Sequence, residues 1–145
     1  MPAQVKNTMT PGLQKAFGEI LKAAHRGNVR TGLGLQHDIV HVAPTAHVKT
    51  GDMRGSIVVV DHKGVVPASR QGHMLSSVPQ VPKNQVLTIV TAPYAVYPHE
   101  MPADWLGPIS RQAGDVGPKF VEKKLPLAAA QMGPIISESI KEVTK

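Results

Sequence analysis

Four consecutive β-branched residues, Ile57, Val58, Val59 and Val60, sit in a short run from Met53 to Asp61. Side chains of a strand alternate between its two faces, so this run is apolar on both. A strand of that kind cannot lie with one face in water. Either it is the central strand of a sheet, or helices cover one face and a neighbouring subunit the other. A second strand is predicted over Val86 to Ala92, ended by Pro93.

Helices are predicted on both sides of these strands. Thr10 caps and Pro11 opens the first, with Leu13, Phe17, Ile20, Leu21 and Ala24 at helical spacing opposite Lys15, Glu19 and Lys22. This helix is expected to end near Gly27. A second stretch is predicted from about Thr31 to Ala43, stopping before Pro44 and burying Leu35, Ile39 and Val42. The carboxy-terminal segment is helical again, with Met132, Ile136, Ile140 and Val143 in period and Gly133-Pro134 expected to kink or divide it. Together these elements predict a single α+β domain over residues 1–145: an antiparallel sheet packed against amino-terminal and carboxy-terminal helices.

Between the strands lies Pro67 to Asn84, eighteen residues with three prolines and two short apolar clusters, Met74-Leu75 and Val78 to Val81. A structureless loop of that length is uncommon inside a small domain. An extended arm or hairpin is expected, its apolar residues covered by another chain. After Tyr97, Pro98, Pro102, Gly107, Pro108, Gly114, Gly117 and Pro118 are expected to break any regular element. Trp105 stands alone there, either as a plug on the core or as an anchor on a neighbour.

Composition narrows the function classes. A chain of 145 residues without cysteine is the size of one ordinary domain and has no disulfide scaffold, thiolate metal site or cysteine nucleophile. No run approaches the roughly 18 apolar residues of a membrane span, and MPAQVKNTMTPG lacks the apolar core of a signal peptide, so synthesis in the cytoplasm without membrane association is expected. The net charge is +6, and residues 1–72 hold nine Lys/Arg against four Asp/Glu while 73–145 hold seven against six. A basic amino-terminal half suits a polyanion or an acidic neighbour. The basic residues occur singly, however, and five aromatic residues leave few platforms for stacking bases.

The chemical motifs weaken when read closely. His37 and His41 in HDIVH have the spacing to share a metal ion on one helical face, yet Asp38 replaces the glutamate of a zincin and His47 lies beyond Pro44. Two exposed helical histidines are the simpler reading, and no metal or cofactor is expected. His99-Glu100 has the residue types of an acid/base pair, but neighbours in a turn usually diverge. RTGLGLQ has glycines without the strand-to-helix context of a phosphate loop. Arg54, just past Gly51 at a strand entrance, can pair with a carboxylate or a group of carbonyls and set how helices meet the sheet.

Three segments carry a family resemblance: TGDMRGSIVVV from Thr50, APYAVYPHE from Ala92 and GPKFVEKKL from Gly117. Their order and content resemble the head-to-tail joining proteins of tailed bacteriophages, the neck or tail-completion family, over roughly Ala43 to Val143. The shared features are Thr-Gly with Arg and Ser-Ile following, Tyr-Ala-x-Tyr-x-His-Glu, and Lys-Phe-aliphatic-Glu at the entrance to the last helix. The family commonly continues its tyrosine turn into Glu-Phe-Gly. Here Met101-Pro102 follow Glu100, so the shape of that loop does not carry over.

The resemblance implies a structural virion protein with no catalytic residues. It would form a homo-oligomeric ring at the head-to-tail junction, beside other neck, head-completion or tail proteins, with genome DNA passing through unread. Candidate subunit contacts are Arg54 and Arg70, then Met74, Leu75, Val78 and Val81 of the arm, then Tyr97 and Trp105. Gly51, Tyr94 and Phe120 are the candidates for setting the fold. The alternative is a small basic nucleic-acid-binding protein, whose binding weakens steeply with salt.

Overall fold

The Thr10 hydroxyl accepts from the Leu13 amide at 3.4 Å, and Pro11 follows as the first helical residue, so α1 (Pro11–His41) starts where its cap predicts. The computed structural model describes residues 10–46, 52–69, 78–92 and 95–145. The expected break near Gly27 does not occur: α1 is one helix of 31 residues. Glycine lowers helix stability by about 1 kcal/mol per site, but two of these glycines serve close packing. A Cβ on Gly27 would stand 2.7 Å from Ile136 Cα, and one on Gly32 would stand 3.0 Å from Val59 Cγ1. Tertiary contact on both flanks outweighs the local preference.

The sheet has three antiparallel strands in the order β2-β1-β3: β1 (Ile57–Asp61), β2 (Gly64–Val65) and β3 (Leu87–Val90). Ile57 pairs with Val90 and Val60 with Leu87 on one side, while Asp61 faces Gly64 on the other. Thus β1 is central, and Ile57 through Val60 are fully buried. Both strands are shorter than predicted. Met53 and Arg54 belong instead to a helical turn, α2 (Asp52–Gly55).

Each face of β1 has its own cover. Ile57 joins Ile39, Ala46, Met53, Ala92 and Phe120 in the main core, whereas Val58 and Val60 meet Val81, with Val65, Val78 and Ile89 beside them. The second cover corrects the arm reading at its described end. Val81 is buried and Val78 half-buried against their own sheet, where the sequence pointed to another chain. At the other end Pro67–Ser69 form a 3₁₀ turn, and the Ser69 hydroxyl bonds both the amide and the carbonyl of Val59. Gln36 ties this turn to α1 by donating to the carbonyls of Ile57 at 2.6 Å and Ser69 at 3.2 Å.

The proline-rich stretch after Val96 is more regular than its punctuation suggests. It holds α3 (Val96–Glu100), a 3₁₀ turn at Ala103–Trp105 and α4 (Pro108–Ala113). Pro98 and Pro108 fall in first turns, where the missing N–H has no helical partner to lose. Most of GPKFVEKKL precedes the terminal helix. It holds a 3₁₀ turn at Glu122–Lys124, and α5 (Leu125–Lys141) begins at its last residue, running undivided through Pro134 to pack along α1.

Candidate functional site

The three segments that carry the family resemblance lie far apart in sequence and close on one joint. Phe120 of the third is 1% exposed among Met53 and Ile57 of the first and Ala92 at the start of the second. The His99 ring stands edge-on to Phe120, centroids 5.0 Å apart. Its carbonyl accepts from the Lys119 amide at 2.8 Å. Lys119 has a left-handed backbone, φ 55°, and its ammonium lies between the carboxylates of Glu100 and Glu122. The bond from Lys119, and after it the one from His99, holds the Glu100 carboxyl below its ordinary range, while Glu100 raises Lys119. Contrary to expectation, His99 and Glu100 do touch, with Nδ1 and Oε1 2.9 Å apart.

Arg54, next to Met53, ties further segments to the joint. Its Nε donates to the Ala46 carbonyl at 2.9 Å, and Nη2 donates to Thr45 Oγ1 at 2.7 Å with Asp115 Oδ1 3.7 Å away. Thr45 in turn bridges to Val116 in parallel register, its amide donating to Asp115. Lys124 Nζ donates to the Pro44 carbonyl at 2.7 Å. Burial lowers the Lys124 pKa, against a smaller opposing pull from Asp38. A guanidinium on a carbonyl and a hydroxyl, together with paired opposite charges, is a set that fixes chain segments against each other. Among the described residues it places no nucleophile beside a base.

The remaining candidates scatter. Gly51, Arg70, Met74, Leu75 and Tyr94 lie outside the described residues, as does the Tyr97 side chain, although its backbone belongs to α3. Trp105 is 70% exposed, with exposed Ile109 four residues on. His37 and His41 are both exposed, their rings 4.7 Å apart and His37 beside its neighbour Asp38. An apolar cleft of about 530 Å³ between α1, β3 and α5 includes Leu35, Val86, Leu125 and Met132 in its walls.

A second constellation escaped the sequence reading. His25 in α1 meets the end of β1, its Nε2 3.2 Å from Asp61 Oδ2, and the His62 ring stands 5.3 Å from it. One nitrogen or oxygen from each of the three residues falls within 4.8 Å of the others, the only such grouping among the described residues. Burial raises the Asp61 pKa, but the Lys63 amide bond, the His25 hydrogen bond and the charges of His25 and His62 outweigh it, and the net shift is downward. His25 Nδ1 is buried without a hydrogen-bond partner. The signal that could have located this site is a histidine placed on the apolar face of α1, one turn beyond Leu21.

No protein-family model, curated protein or solved structure matches the chain.

Proposed function

We propose that the protein is a structural component of the neck of a tailed bacteriophage, associating into a ring that joins head to tail. The observation that carries this reading is the convergence of the three family-like segments on one joint around Phe120 and Arg54. Residues shared for the sake of a fold are expected to meet in that way, and their chemistry is that of a fastening.

Two apolar surfaces on different elements favour association. Leu13, Phe17 and Leu21 form an exposed stripe on α1, with residues 11–17 exposed all round, and Trp105 with Ile109 forms another patch. Among the described residues neither stripe nor patch has cover. Closed rings are built by joining one surface of a subunit to a different surface of the next, and large aromatic residues often anchor such contacts.

Sedimentation and negative-stain microscopy of the purified protein, compared with Trp105→Ala, test the reading. The expected result is a ring for the native chain and a folded, unassembled subunit for Trp105→Ala, with thermal stability within about 0.5 kcal/mol as for an exposed side chain. A native chain that remains monomeric at all concentrations and is absent from purified virions would refute it.

A further inference from the structure

We infer that the cleft between α1, the β1–β2 turn and the turn at Lys83-Asn84 binds the phosphodiester backbone of nucleic acid. The cleft has a volume of about 510 Å³, and its walls bring together Lys22 and Arg26 from α1, Lys63 and its neighbour His62 from the hairpin, and Lys83 from the far turn, around His25. In sequence these cations are isolated. Folding places four of them at one cleft with no Asp or Glu in its lining among the described residues.

The charge is also uncompensated nearby. Arg26, Lys63 and Lys83 are exposed and have no ion-pair partner among the described residues, and Lys22 has only an exposed contact to Glu19 at 3.5 Å. Asp61 is the acid at hand, but its two oxygens are occupied, Oδ2 by His25 and Oδ1 by the Lys63 amide at 2.9 Å. It orients the turn and leaves the lysine and arginine heads free. A cluster of this sign attracts polyanions and releases their counterions on binding.

The walls also indicate which part of a nucleic acid is held. Among the described residues no Phe, Tyr or Trp lines the cleft, so none of them offers a base a large ring to stack on. Contacts of lysine and arginine with phosphate position a strand without reading its sequence. The same four cations oppose a divalent metal ion on His25, Asp61 and His62, although the spacing of those three would otherwise suit one. On the neck reading the ligand is the DNA that the ring encloses. Binding is nevertheless a property of the single subunit and is measured apart from assembly.

The test is fluorescence anisotropy of a short labelled duplex, titrated with the full chain over a range of salt, alongside two triple variants of equal charge. One is Arg26→Gln/Lys63→Gln/Lys83→Gln in the cleft. The other is Lys15→Gln/Lys123→Gln/Lys141→Gln at exposed sites outside it. For three to four phosphates, a fourfold rise in salt weakens native binding about 40- to 150-fold. The cleft variant is expected to bind at least about tenfold more weakly, with a salt slope shallower by about 2 to 3, whereas the surface variant stays near the native curve. Two duplexes of unrelated sequence should bind alike. Equal losses in both variants overturn the inference, as does displacement of the duplex by inorganic phosphate beyond what matched ionic strength produces. So does uptake of one equivalent of Zn²⁺ by a chain that has no affinity for DNA. Failure here with intact rings leaves the neck reading standing, and binding by a chain that never assembles separates the two the other way.

Discussion

Replacing Gly27 with alanine sets two effects of opposite sign against each other. In an isolated helix the change adds about 1 kcal/mol of stability, because alanine loses less backbone freedom on becoming helical. In this fold the new Cβ would lie 2.7 Å from Ile136 Cα and 2.9 Å from Ile136 Cγ1. The first of these is backbone of α5, which no rotamer change can move aside. Separating the helices or straining them costs about 1–3 kcal/mol, towards the upper end when backbone is struck. The net expectation is a loss of about 1–2 kcal/mol, or a melting temperature about 3–8 °C lower for a chain of this size. Gly34→Ala is the internal control: it lies on the same helix, is exposed, and its Cβ would meet nothing within 4 Å. It should gain up to about 1 kcal/mol. Calorimetry or circular-dichroism melts of the two variants measure the difference. A Gly27→Ala protein that melts at or above the native temperature would show that α1 and α5 do not touch there. A Gly34→Ala protein with no gain would show that the helix does not continue through that residue.

Arg54→Ala should cost about 2–3 kcal/mol, since it removes charge-assisted bonds to the Ala46 carbonyl and to Thr45, which is fully buried; chemical denaturation reads this directly, and a loss below about 0.5 kcal/mol would mean that the clasp is solvated. Asp61 supplies a pH dependence: its folded pKa lies below the ordinary value of 3.8, so the stability it adds is complete above that value and disappears as pH falls through the lowered one. Asp61→Asn should therefore be less stable than the native chain at neutral pH and converge with it in acid, and a constant difference in melting temperature across that range would contradict the assignment.

Local signals carried much of this fold. Thr10 and Pro11 start a helix through the geometry of their own turn, and four β-branched residues in a row required a strand covered on both sides. Phe120, flagged with its neighbours as part of a motif, is the largest fully buried side chain among the described residues. These properties depend on a few adjacent residues, so the order of amino acids is enough to read them. The unbroken course of α1 was not legible, because Gly27 and Gly32 weigh against a helix until Ile136 and Val59 arrive from more than 25 residues away to occupy the space they leave. Val78 and Val81 likewise looked like contacts for another chain until the far face of β1 was in place to receive them. The basic cleft is the clearest case: Lys22, Arg26, Lys63 and Lys83 are unremarkable single charges along the chain. Electrostatic potential depends on distance in space rather than in sequence, so only the hairpin turn folding back onto α1 makes them one site.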